Sequence, residues 1–316
     1  MTVTRERALT LVPVPGYGAE DVVIDADGAA YTGTSDGSVF RVAPGGARID
    51  SLARTGGRPM GLELLPDGRL LVCDADRGLL ALDTGKGRLE ELAAFVHGQR
   101  MRCVNNAAVH SDGSIYFSDS SRVHGIDSWE ADIAENTATG RLLRRDPAGT
   151  VDVLVDGLRF ANGVVLAADE SYVAVAESAG RSVVRCWLTG PRTGQVDHLV
   201  WDLDGYPDNL SRGTDGLIWM AVASPKDPVV ELVTRSPMPV RRGATRLPER
   251  LRPAPRRTAR VMALDDTGAV VHDLSHDAER FHMVTGVREH HGTVWLGSLK
   301  EPALAWFRLP PGERRG

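Results

Sequence analysis

Glu20, Asn105, Asn162 and Asp208 each stand eight residues before a small or acidic turn residue, respectively Gly28, Gly113, Glu170 and Gly216. Two further turns, at Gly68 and Gly292, have Met60 and Val284 at the same offset. Two carboxylates and two amides are the donor set of a hard cation such as calcium, which takes six to eight oxygens at about 2.3–2.6 Å. They can share one ion only if the six segments are equivalent units arranged around an axis. The chain has five asparagines; two are in the set, and Asn106 and Asn209 each adjoin a member. The bland alternative is that Asn and Asp at strand starts form turns with the local backbone.

The units that would position them read as strands. Asp21 to Asp25, Ala29 to Thr32 and Ser38 to Val42 are short runs of alternating apolar character broken by Gly or Asp, which is the pattern of antiparallel hairpins. Later copies follow at Gly61–Leu65 and Leu70–Cys73, Ala107–Val109 and Ser114–Phe117, Gly163–Ala167 and Tyr172–Ala176, Leu217–Met220, and Thr293–Leu296. Six such sheets predict an all-β, six-bladed β-propeller over residues 1–316 as one domain. A β-sandwich is the rival, but it does not demand equivalent positions in successive repeats. The early run Ala8–Val12 is expected to complete the blade that ends with Ala303–Leu309, which would remove an exposed sheet edge.

Two stretches exceed the repeat. Residues 119–139 contain His124, Asp127, Trp129, Glu130, Asp132 and Glu135, and a loop this long on a propeller rim predicts function, for instance as a lid. Residues 225–260 are rich in Pro and Arg, opposed only by Asp227, Glu231 and Glu249. They read as a solvated, partly mobile rim excursion, with contact to a membrane surface or a partner as the lesser reading.

Composition narrows the classes. Of 316 residues, 42% are hydrophobic and 25% charged, enough for a large core, and a formal charge of −5 gives no electrostatic case for nucleic acid. A small-molecule ligand is the better expectation. Cys73, Cys103 and Cys186 are odd in number and sit in apolar runs, which favours buried thiols in a reducing, cytoplasmic compartment over disulfides or zinc. No apolar run approaches the length of a membrane span, and Met1 to Val12 lacks the apolar stretch of a secretion signal.

Seven segments, in order along the chain, resemble one family: Gly18-Ala-Glu-Asp21, Tyr31-Thr-Gly33, Cys103-Val-Asn-Asn106, Thr139-Gly-Arg-Leu-Leu143, Gly157-Leu-Arg-Phe-Ala-Asn-Gly163, Tyr206-Pro-Asp-Asn-Leu210 and Val294-Trp-Leu-Gly-Ser298. Together they resemble the strictosidine synthase-like branch of the senescence marker protein, gluconolactonase and paraoxonase superfamily. The resemblance implies a six-bladed propeller with a divalent cation, commonly calcium, in its central tunnel. Its ligand positions fall on Glu20, Asn105, Asn162 and Asp208, with Asn209 as an extra oxygen, and Asp208 falls where family members place a general base.

The departures from that family matter as much. Met60 stands where paraoxonase-type lactonases carry a catalytic histidine, and Cys103 where gluconolactonases carry a substrate-binding arginine. Thr285 stands where strictosidine synthase itself has a glutamate. The expectation is a metal-dependent lactonase or esterase acting on a small, fairly apolar molecule, with Met60, Cys103, His124, Trp129, His282 and Thr285 around the substrate. A strictosidine synthase-like lyase or cyclase of secondary metabolism and a non-catalytic propeller scaffold are the alternatives, since a fold does not fix a function.

Overall fold

The computed structural model describes residues 8–247 and 255–309. Alternating apolar side chains force each short strand to bury one face, and the chain satisfies this with six four-stranded antiparallel sheets, as the repeat predicted. The innermost strands are Val23–Ile24, Pro59–Leu64, Val104–Val109, Ala161–Leu166, Gly205–Arg212 and Val284–His290. Burial falls outward across a blade: in the second, Leu70–Asp74 is wholly buried, whereas the outermost strand, Arg88–Ala93, has no buried residue. The core lies between blades. Val23, Tyr31 and Val39 of the first blade pack on Leu62, Leu70, Val72 and Leu80 of the second, and similar clusters join the other neighbours.

The last sheet takes its outermost strand from the other end of the chain. Thr10–Pro13 pairs antiparallel with Ala303–Arg308, from Thr10 opposite Trp306 to Pro13 opposite Ala303, and this closes the ring.

Five innermost strands share one irregularity. Pairing with the second strand skips two residues: Met60 and Gly61, Asn105 and Asn106, Asn162 and Gly163, Asp208 and Asn209, and Thr285 and Gly286. In the first blade Glu20 and Asp21 precede the strand at the equivalent place. Such bulges redirect side chains out of the pleat. The sixth blade has a turn one residue shorter, with His290 opposite Thr293, so the count of eight reaches Val284 while the equivalent position is Thr285.

The second residue of each pair alternates between polar and glycine around the ring, and contacts explain why. A Cβ on Gly61 would lie 2.6 Å from the Asn105 carbonyl oxygen, one on Gly163 2.1 Å from the Leu210 nitrogen, and one on Gly286 2.7 Å from the Asp21 Cα. The polar members tie blades together. Asp21 Oδ2 accepts from the Leu62 amide at 2.9 Å and from Asn106 Nδ2 at 3.3 Å, while Asn106 Oδ1 accepts from the Val164 amide at 2.9 Å.

Both long stretches connect the second and third strands of a blade, and therefore leave at the face where the innermost strands begin. The first forms helix α1, Trp129–Glu135, anchored by buried Asp132, which accepts from Ser121 and, at 2.8 Å, from Thr137. The second forms α2, Pro228–Arg235, and α3, Met238–Thr245. Asp227 caps α2 through the amides of Val229 and Val230 at 2.7 and 3.2 Å, with Pro228 at its first position. Arg241 donates to the Glu135 carbonyl at 2.9 Å, joining α3 to the end of α1. The second excursion is thus a built helical pair, not only a solvated loop; its residues 248–254, Arg250 and Arg252 among them, lie outside the described residues.

Candidate metal centre

Bulge residues from four blades, Glu20, Asn105, Asn162 and Asp208, line the floor of one cavity of about 380 Å³, together with Met60 and Thr285 from the other two. Each of the four polar residues presents one oxygen that is buried and without a hydrogen-bond partner of good geometry: Glu20 Oε2, Asn105 Oδ1, Asn162 Oδ1 and Asp208 Oδ1. Orphaned buried acceptors are costly, and several facing one space are the arrangement a cation would satisfy. The orientation of Asn162 is fixed from behind. Its Nδ2 donates to Ser178 Oγ at 3.1 Å, and that hydroxyl donates to the Pro207 carbonyl at 2.6 Å, leaving the amide oxygen toward the cavity.

Electrostatics agree with an oxygen-only cradle. Glu20 is pushed well above the usual carboxylate range by burial, and next by the nearby charges of Asp208 and Asp21. Asp208 is raised to about 8, chiefly by burial, with Asn162 working the other way. Two carboxyl groups that resist ionisation together are a site that gains from a divalent charge. Among the described residues no group of three or more His, Cys, Asp or Glu is placed to hold a metal ion, which leaves the mixed carboxylate and amide set as the candidate.

Above the floor the walls are apolar: Ile126, Trp129, Ile133 and Ala134 from the first excursion, Phe160, Val230 and Val233, Met283 and Leu299. Carboxylates Asp127, Glu130, Glu135 and Asp227 border it, and among the described residues no Lys or Arg does. His124 also lines it, its Nε2 3.6 Å from Glu135 Oε2.

The remaining candidates fall elsewhere. Cys103 is fully buried behind the wall, packed with Met60, Ala75 and Ile126, and burial drives its thiol pKa up. His282 is not among the lining residues; its Nδ1 pairs with Glu301. Asn209 faces Glu20 from behind the floor and does not line the cavity. Val284 is wholly buried beside the ring, whereas Thr285 reaches the cavity and donates to the Glu20 carbonyl at 2.8 Å. Tyr206 lines the cavity with a buried hydroxyl that lacks a partner of good geometry. The offset count could not find Tyr206, since it lies two residues before the bulge; its only signal was a place in the Tyr206–Leu210 segment.

Comparison with known proteins bears on the family and the fold. Residues 105–191 match the family model described as strictosidine synthase, and residues 7–42 that of the N-terminal part of strictosidine synthase-like proteins. The chain is 31% identical over 317 residues to the adipocyte plasma membrane-associated protein of Rattus norvegicus, covering 92% of this chain and 83% of that one. It is also 31% identical to strictosidine synthase-like protein 6 of Arabidopsis thaliana, covering 94% and 85%. Among solved structures it resembles a gluconolactonase from Xanthomonas campestris, with TM-score 0.70, 16% identity and coverage of 96% and 89%. A calcium-binding protein, regucalcin, from Agrobacterium tumefaciens superposes with TM-score 0.69 at 14% identity over 97% and 95% of the two chains. At these identities the structural likenesses speak to the fold alone.

Proposed function

Because this chain belongs to the strictosidine synthase-like family, we propose that it is a divalent-metal-dependent hydrolase of small, largely apolar lactones or esters. The observation that carries the reading is the set of four unpartnered oxygens from four blades beneath an apolar chamber. Glu20, Asn105, Asn162 and Asp208 would hold the cation, calcium or another divalent ion. When bound, it polarises a substrate carbonyl and stabilises the oxyanion that develops.

The chain's own residues supply the rest. Trp129, Phe160, Val230 and Val233 enclose an apolar body and exclude water from the floor. Among the described residues no Lys or Arg lines the wall, which favours a neutral substrate over a carboxylate or phosphate, and an acidic product meets a border of like charge. Asp208, as general base, takes the proton of the attacking water. Burial raises its pKa and a neighbouring cation would lower it, so the two act in opposite directions on its basicity. Tyr206, whose buried hydroxyl belongs to the lining of the same cavity, would donate to the leaving oxygen.

The family match favours a second reading, a lyase or cyclase working in the same chamber. Against it, Thr285 brings no carboxylate to the sixth blade, and its hydroxyl is engaged by the Glu20 carbonyl. A panel of aryl esters and lactones decides between them. Chelator should abolish turnover and added calcium or another divalent ion restore it, and Asp208→Asn should lower kcat by at least about a hundredfold. Hydrolysis of no panel member under any metal condition sinks the first reading.

A further inference from the structure

Of ten large apolar side chains left exposed among the described residues, four lie between Val229 and Val240: Val229 at 53%, Leu232 at 69%, Met238 at 39% and Val240 at 53%. Helix α2 is apolar on two sides, because Val230 and Val233 face the cavity while Val229 and Leu232 face out. Guanidinium groups are interleaved with that outer face. Arg235 and Arg242 have side chains 76% and 59% exposed and stand 3.5 and 3.7 Å from Glu231 and Glu135, and Arg246 is exposed as well. Within residues 228–247 the sequence has four Arg, at 235, 241, 242 and 246, against Glu231 alone, a local surplus of three cations on a chain of net charge −5.

We propose that the outer face of α2 and α3 docks reversibly on an anionic lipid surface. Aliphatic side chains beside arginines are the chemistry of a helix that lies in a membrane interface, where the chains enter the acyl boundary and guanidinium groups hold phosphates. Other occupants suit the face less well. A second copy would oppose like charge to like charge across the contact. Nucleic acid would leave the aliphatic groups unused, and residues 225–260 contain no aromatic side chain on which a base could stack. Absence of Trp and Tyr anchors also makes the attachment weak enough to reverse.

The test is co-sedimentation of the full chain with vesicles of phosphatidylcholine alone or mixed with phosphatidylglycerol, in chelator so that no calcium bridges protein to lipid. Binding is expected only to the mixed vesicles, weakening as salt rises. Arg235→Gln with Arg246→Gln should lower the partition about 25-fold, at about fivefold per charge. Leu232→Ser with Val240→Ser should lower it at least about tenfold with the thermal midpoint unchanged. No binding of the unaltered protein to mixed vesicles at low salt overturns the proposal, as does equal binding to neutral vesicles. A dimer in sedimentation velocity that dissociates in the Leu232→Ser, Val240→Ser variant overturns it in favour of a second copy. None of these readouts depends on hydrolysis, so a failure here and a failure of the hydrolase reading remain distinct.

Discussion

Glu20 and Asp208 face one floor, and without a cation between them neither ionises easily. A carboxyl whose folded pKa lies above its unfolded value binds more protons folded than unfolded, so its contribution is complete below about pH 4 and is lost as pH rises through about 8. Protein stripped of divalent ions should therefore show a thermal midpoint that falls from about pH 5 to pH 8, with calcium restoring most of the loss at the upper end. A midpoint flat in pH and indifferent to calcium would remove the metal centre from consideration. Ser178→Ala tests the same site from behind. It frees Asn162 to turn, and calcium affinity by titration calorimetry should drop by about tenfold to a hundredfold; unchanged affinity would mean that Asn162 is no ligand. What the sequence made legible was the spacing that brings Glu20, Asn105, Asn162 and Asp208 to one cavity. In the sixth blade the offset count reached Val284 because one turn is a residue shorter, and Thr285 entered only through the family resemblance; the withdrawal of Cys103 and His282 stayed hidden, since which face a side chain takes after a bulge depends on partners far along the chain.

The element that recurs is the two-residue bulge, and its second position is as constrained as its first. Gly163→Ala should destabilise by about 1–3 kcal/mol or more, because the new carbon meets the backbone of the next blade, which cannot swing aside as a side chain would. Gly243→Ala is the control. That glycine is inside α3 with open space around its Cα, so the substitution should be neutral or stabilise by up to about 1 kcal/mol. Chemical denaturation of the two variants measures both, and equal effects would contradict the close approach at Gly163. The strands were readable from alternation, but α1, α2 and α3 were not. Each is two turns or so, too short for helical periodicity to stand out, and α2 is further disguised by apolar groups on two sides.

At the scale of the molecule, six sheets hold together by their faces and by one borrowed strand. Deleting residues 1–14 leaves Ala303–Arg308 as an unpaired edge and uncovers Leu304 and Trp306. The truncated chain should unfold at a thermal midpoint at least about 10 °C lower and aggregate at concentrations the full chain tolerates; an unchanged midpoint would show that closure contributes little. The same pairing fixes an order in time. Thr10–Pro13 leaves the ribosome nearly three hundred residues ahead of its partner, so at about 5–20 residues per second the earlier segment waits roughly 15 to 60 s for a mate. Throughout translation the nascent protein is an open fan with two raw borders, and a chaperone that shields those borders would govern how much of it matures.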